Sequence, residues 1–251
     1  MPRVLEPEVM EGEAEAAAYD EMDRVWGDVV FQGFAESATR MGIREGRVLD
    51  VGTGSGRIAM RLARLNPALS IEGIDLSESM LALAREHAGQ AGLRNVRFSL
   101  GDAKRLPFEA QSFDLVISHQ LIHQLPDPLV ALKEMNRVAK PGGAILVRDV
   151  RRFPEPIMSL VLPFWCLGYS RKLRELTSSS FRAGLTGREF EALVRDAGIE
   201  GVVRVRKHFL THVGFERRAA PFASPITLTN RPESLPRRLA KWLYTSELPT
   251  S

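Results

Sequence analysis

Residues 52–56 read Gly-Thr-Gly-Ser-Gly, directly after an apolar run and directly before a helical pattern. Glycines in that setting let the backbone turn sharply and approach a ligand closely. The helix behind them presents free amides and the positive end of its dipole. The spacing departs from the dinucleotide fingerprint G-x-G-x-x-G, because Arg57 stands where the third glycine would fall, which counts against NAD. Asp75 closes the second apolar run, 25 residues after Asp50. A carboxylate there accepts both ribose hydroxyls of a nucleoside and repels a 2′-phosphate. Asp102, in Gly101-Asp102-Ala103, follows the third run and suits an exocyclic amine such as adenine N6. Singly, each acid is as readily a turn or cap residue. Together with the glycine bend they describe a cradle for adenosine.

His119 and His123 follow the fourth apolar run. Four residues apart, they suit one face of a helix, and imidazoles titrate near neutrality, so both are candidate general bases; the alternative is packing beneath a ligand. A metal on two histidines needs a carboxylate, and the sequence shows none beside them, so no metal is expected. Asp149 lies among Arg148, Arg151 and Arg152. It could orient or deprotonate an acceptor while the arginines bind an anionic one, or the four could form a local ion-pair cluster. Phe153 to Tyr169 is crowded with Ile157, Met158, Leu160, Leu162, Phe164 and Trp165, which points to an apolar pocket, a partner surface or plain core filling.

The elements that must position these residues alternate. Apolar runs at 47–51, 70–75, 96–100, 113–118 and 144–147 read as strands, and helical patterns at 55–65, 77–91 and from Asp127-Pro128 lie between them. Lys140-Pro141-Gly142-Gly143 reads as a turn, and Thr186 to Glu189 as a capping box opening a helix to Ala197. Residues 202–213 hold two short antiparallel edge strands. The expectation is an α/β fold, doubly wound on a mostly parallel seven-stranded sheet, with ligands at the carboxyl ends of the strands. The expected divisions are an acidic arm and cap helix at 1–41, an α/β core at 42–150, a helical lid insertion at 151–185, a helix and edge strands at 186–215, and a Pro-rich tail at 216–251. Within the first, residues 1–18 read as mobile, and one helix spans Tyr19 to Met41.

The 251 residues are 44% hydrophobic and 26% charged, a globular balance able to bury its own core. The single cysteine, Cys166, excludes an intramolecular disulfide and a cysteine-based zinc site. The acidic start is no signal peptide, and the most apolar stretch, 157–168 with Pro163 inside it, is too short to span a bilayer. A cytoplasmic setting is expected. The net charge of +3 hides an acidic start and a more basic remainder, read as a solvated surface because no dense basic run accompanies it, so nucleic acid is not an expected partner. Association as a homodimer stays open.

Val48 to Gly56 resembles motif I of the class I S-adenosylmethionine-dependent methyltransferases, and Ile74-Asp75-Leu76-Ser77-Glu78-Ser79-Met80 resembles their motif II. Gly101 to Ala103, Leu106-Pro107-Phe108, Phe113 to Val116 and the Lys140–Gly143 turn are similar to later segments. The likeness covers about residues 19–150 and is greatest to the branch that includes ubiquinone and menaquinone biosynthesis methyltransferases. It implies a Rossmann-like fold and S-adenosylmethionine as cofactor. It places the methionine portion on motif I (Asp50, Gly52, Thr53, Gly54, Gly56) and the ribose on Asp75. Leu76 and Met80 would flank the adenine, Asp102 and Ala103 would meet its edge, Ser118 and His119 would lie under the sulfonium, and Tyr19 would close over the cofactor. The expected reaction is methyl transfer to a small apolar or aromatic acceptor, with His119, His123 or Asp149 serving any proton transfer. An RNA or protein methyltransferase and a non-catalytic S-adenosylmethionine-binding module are the alternatives.

Overall fold

A computed structural model of the chain describes residues 3–6, 18, 21–25, 27, 29–200, 203–207 and 212–218. Its strands are β1 (Gly46–Val51), β2 (Leu69–Asp75), β3 (Val96–Leu100), β4 (Phe113–His119), β5 (Ala139–Val150), β6 (Val203–Lys207) and β7 (His212–Arg217). Its helices are α1 (Val30–Thr39), α2 (Arg57–Leu65), α3 (Glu78–Gln90), α4 (Pro128–Val138), α5 (Glu155–Trp165), α6 (Arg171–Ala183) and α7 (Gly187–Asp196). The sheet runs β3-β2-β1-β4-β5-β7-β6. β1 to β5 pair in parallel, while β7 pairs antiparallel to both β5 and β6. The order reverses between β1 and β4, so the crevice for a ligand opens at their carboxyl ends.

Both faces of the sheet are covered, which is why its strands are apolar runs rather than alternating ones. On one side α1, α2 and α3 bury Phe34, Leu62 and Leu81 against Val48, Ile71 and Ile117. On the other, α4 and α7 bury Leu132, Met135 and Phe190 against Leu49, Val116 and Phe215. Caps set several helix starts: Ser77 accepts from the Met80 amide, Asp127 from the Leu129 amide, and Thr186 and Glu189 form the expected capping box.

Several boundaries differ from the sequence reading. The helix expected over 19–41 is parted: residues 21–25 are helical, Gly27 turns, and α1 begins at Val30. The Gly27 amide donates to Asp23 O at 2.8 Å, and a Cβ on Gly27 would lie 2.3 Å from that same oxygen. α2 starts at Arg57 rather than Ser55, because Gly56 has φ +74° and stands outside helical space. Lys140–Gly143 does turn, but inside β5: the β4 register jumps from Phe113–Ala139 to Leu115–Ala144, so the four residues bulge out of the ladder. Arg217 holds that bulge, its guanidinium donating to Gly143 O at 3.1 Å and Lys140 O at 3.3 Å. Arg217 therefore belongs to the sheet and not to the tail; the remainder of the tail, from 219, lies outside the described residues.

Residues 3–6 are docked, contrary to the mobile arm expected over 1–18. Arg3 donates to Ala183 O (2.8 Å), His123 O (2.8 Å) and Leu125 O (3.0 Å). It satisfies carbonyls at the end of α6 and in the irregular loop after β4. Among the described residues no helix is long and apolar enough to cross a membrane.

Candidate active site

The β1–α2 loop is shaped by Gly52, Gly54 and Gly56, with φ of +73°, +53° and +74°, a region most side chains avoid. A Cβ on Gly52 would lie 2.9 Å from Leu121 and one on Gly56 2.6 Å from Phe98, whereas one on Gly54 would meet nothing within 4 Å. The outer glycines thus seal the loop against the protein, and Gly54 faces open space. The amides of Gly52 and Thr53 each donate to Ile74 O at 2.9 Å. The amide of Gly54 donates to Asp75 Oδ2 at 2.8 Å, and that of Ser77 to Asp75 Oδ1 at 3.0 Å. Asp75 therefore ties the loop to the end of β2 and keeps lone pairs for further donors. Burial pushes its carboxyl up, opposed by the Ser77, Gly54 and Leu76 amides. α2 leaves the loop with no side-chain cap and no acid in its first turn, so its leading amides and dipole can receive an anionic group.

Asp50 lies beneath the loop, 1% exposed, and accepts from Thr53 Oγ1 at 2.8 Å. Burial pushes its carboxyl up to about 7; the Thr53 hydroxyl opposes the rise and the Asp75 charge adds to it. One cleft, of about 940 Å³ including its mouth, gathers Asp50, the loop, Asp75, Leu76, Met80, Ala103 and His119. Arg57, at the place of the missing third glycine, also lines it and reaches Asp23 at 3.4 Å, while Arg61 reaches the same carboxylate at 2.7 Å. The helical piece at 21–25 is thereby clamped to α2.

Other expected binding residues lie elsewhere. Asp102 serves its own turn, its Oδ1 accepting from the Lys104 amide at 2.8 Å and lying 3.2 Å from Lys104 Nζ; Gly101 and Ala103 on either side line the cleft. Ser118 is fully buried and donates to Val51 O at 2.9 Å, which joins β4 to β1 below the cleft. Tyr19 lies outside the described residues. Sequence reasoning missed Phe31, Gln120, Leu121 and Gln124, all of which line the cleft. A signal existed for three of them: residues following β4 leave the carboxyl edge of the sheet, so the whole loop, and not only its histidines, was placed to reach a ligand.

The two histidines do not share a helical face. The chain turns at Gln120, which has φ +57°, and residues 122–124 form a turn. His119 enters the cleft, with its ring centroid 4.7 Å from that of Phe34 and 6.1 Å from that of Phe31. Burial, followed by the charges of Arg148 and His123, holds its pKa well below the ordinary imidazole value, so the ring is neutral at physiological pH.

His123 is buried away from the cleft lining. Its Nδ1 lies 2.6 Å from Asp149 Oδ1, its amide donates to Asp149 Oδ2 at 3.1 Å, and its Nε2 lies 3.4 Å from Glu6 Oε2 without hydrogen-bond alignment. Burial alone would lower its pKa, but Asp149 and then Glu6 raise it to about 9. The sequence showed no carboxylate beside these histidines; the fold brings two to His123. The cluster of Asp149 with its arginines also resolves differently. Arg152 Nη2 pairs with Glu189 at 2.6 Å, Arg148 donates to Ser37 Oγ at 3.3 Å and covers Phe34, and Arg151 lies over Phe153 at 4.8 Å. Asp149 spends its carboxylate on His123 and on the backbone.

A family model described as a methyltransferase domain matches residues 44–182. A demethylmenaquinone methyltransferase of Staphylococcus aureus is 44% identical over 120 residues, 47% of this chain and 48% of the relative. The chain spans about half the length of the curated relatives it matches. Among solved structures, a putative S-adenosyl-L-methionine-dependent methyltransferase from Methanococcus maripaludis is similar with a TM-score of 0.66 at 19% identity, over 84% of this chain and 96% of that one. The [4+2]-cyclase SpnF is similar with a TM-score of 0.54 at 29% identity, over 69% of this chain and 57% of that one. A match across more than half the chain, on a sheet whose glycine loop and Asp75 meet at the switch point, makes this protein a member of the class I S-adenosylmethionine-dependent methyltransferase family.

Proposed function

We propose that this chain binds S-adenosylmethionine in the β1–α2 cleft and passes its methyl group to a small apolar or aromatic acceptor held beneath the 151–185 segment. The observation that carries the reading is the joint placement of Gly54 and Asp75: the loop amide is pinned to the carboxylate at 2.8 Å while the Gly54 Cα faces empty cleft. The residues present fit the cofactor part by part. The uncapped start of α2 suits the carboxylate of the methionine portion, and Asp50 its ammonium. The remaining lone pairs of Asp75 suit the ribose hydroxyls, and Leu76, Met80 and Ala103 offer apolar contact to the adenine.

When bound, S-adenosylmethionine supplies an electrophilic methyl carbon on a sulfonium. Displacement at such a carbon asks the protein for alignment and for exclusion of water. Phe31, Phe34 and His119 pack together at the cleft. His119, held neutral, adds no positive charge beside a cationic donor. His123 and Asp149 hold the β4–α4 loop through their buried pair, a positioning role. The name of the Staphylococcus aureus relative and the buried Met158, Tyr169, Leu173 and Phe181 of the 151–185 segment support an apolar or aromatic acceptor. The likeness to SpnF, described as a cyclase, favours a second reading in which the cofactor is bound and not turned over.

Calorimetry with S-adenosylmethionine and S-adenosylhomocysteine, followed by release of S-adenosylhomocysteine across a panel of hydroxylated aromatic and aliphatic acceptors, tests the proposal. Binding with turnover on an aromatic acceptor is expected. No binding of either compound defeats the cofactor reading; binding without turnover on any acceptor leaves the second one.

A further inference from the structure

Beside the cofactor cleft lies a second, smaller chamber, of about 480 Å³ including its mouth. Gln120 lines both spaces, so the two adjoin across one side chain. The far wall is α6, which presents Leu173, Leu176, Thr177, Ser180 and Phe181, the three- and four-residue spacing of one helical face. Val150 at the end of β5 and His212 at the start of β7 are register partners and form the near wall. Gln120 Nε2 lies 3.2 Å from His212 Nε2 at the boundary between the two spaces.

The hydroxyls that α6 presents to this chamber are spent on the protein. Thr177 Oγ1 donates to Leu173 O at 2.8 Å, and Ser180 Oγ lies within hydrogen-bond reach of Leu176 O at 3.1 Å and Glu6 Oε2 at 3.3 Å. Tyr169 lines the chamber, is 4% exposed, and its hydroxyl is buried with no hydrogen-bond partner among the described residues. A buried hydroxyl left unpaired is destabilising, so the position calls for a partner that the described residues do not supply. Burial also pushes this phenol above its ordinary pKa, which keeps the proton on the oxygen and available for donation.

We propose that this chamber is the acceptor pocket, that the acceptor is a small aromatic ring carrying a hydroxyl or carbonyl oxygen, and that Tyr169 selects it by hydrogen bonding to that oxygen. Gln120 and His212 then form the doorway through which the acceptor meets the methyl donor. The assignment rests on the cofactor reading of the adjoining cleft. It makes Tyr169 a specificity residue: an apolar pocket alone discriminates weakly between rings, whereas one built around an unpaired buried polar group penalises a ligand that cannot satisfy it.

Fluorescence titration of 2-naphthol and of naphthalene, each with saturating S-adenosylhomocysteine, tests this. The wild type should prefer the naphthol by about tenfold or more, the scale of one buried hydrogen bond. Tyr169→Phe should bring the two probes within about twofold by weakening the naphthol alone. Leu176→Trp, which fills the chamber, should abolish binding of both. S-adenosylhomocysteine affinity should stay unchanged in both variants and reports that they are folded. A wild type that binds neither probe or shows no preference, a preference that survives Tyr169→Phe, or probe binding that survives Leu176→Trp overturns the proposal. Failure of the wild type to bind S-adenosylhomocysteine would instead defeat the reading of the cofactor cleft.

Discussion

Asp50 carries a conflict between stability and ligand binding that can be measured. Its carboxyl is 1% exposed and titrates at about 7 instead of 3.8. A tenfold change in proton affinity corresponds to about 1.4 kcal/mol. Above both values the folded protein must hold a buried carboxylate, at a cost of about 4 kcal/mol relative to an uncharged residue. At about pH 5 the folded protein keeps a proton that the unfolded chain has released, and the cost is about 2 kcal/mol. Below about pH 3 both states are protonated and the cost vanishes. A raised carboxyl thus destabilises progressively as pH climbs from the unfolded value to the folded one. Asp50→Asn retains an oxygen to accept from Thr53 Oγ1, now 2.8 Å from Asp50 Oδ2, and removes the penalty. Urea denaturation of the ligand-free protein should show the variant more stable by about 4 kcal/mol near pH 8, about 2 near pH 5 and nothing near pH 3. The same variant should bind S-adenosylhomocysteine more weakly, with the greatest loss near pH 8, where the wild-type carboxylate is charged and can pair with the ligand ammonium. A gain independent of pH, or a destabilised variant, would refute the burial argument. Unaltered ligand affinity would refute the assignment of Asp50 to the ammonium.

Three further outcomes are expected. Asp75→Ala should weaken S-adenosylmethionine binding by about tenfold or more in calorimetry, since it strands ribose hydroxyls and frees the Gly54 amide bonded at 2.8 Å; an unchanged affinity would contradict the cradle. His119→Ala should lower turnover more than cofactor affinity, and equal losses would reduce His119 to packing around Phe31 and Phe34. His123→Ala should cost about 3–5 kcal/mol of stability by leaving Asp149 buried without its cation, with cofactor affinity of the folded fraction retained. Because the folded pKa of His123 is raised from 6.5 to about 9, its contribution is complete below the lower value and is lost as pH rises through the upper one. Wild-type stability that is flat between about pH 7 and pH 10 would speak against that pair.

The cleft at the switch point was legible because its parts are set by neighbours in the chain. A glycine loop between strand and helix, and an acid at the end of the next strand, are placed by backbone geometry that local sequence specifies, so Asp50, Gly54, Asp75, Leu76 and Met80 could be named before any contact was known. The capped helix starts at Ser77, Asp127 and Thr186 were readable for the same reason. Polar side chains separated along the chain were not. Nothing in spacing says that His123 turns from the cleft to Asp149, 26 residues on, or that Arg3 reaches carbonyls about 120 residues away. The Asp149 cluster looked like chemistry by composition and proved to be an internal ion pair with the arginines pointed elsewhere. Periodicity and caps fix which strands and helices exist and the order in which they follow, because those depend on dihedral preference and on burying one face. Which buried hydroxyl lacks a partner and which carboxylate meets which histidine depend on packing between distant segments, and that geometry exists only once the sheet has assembled.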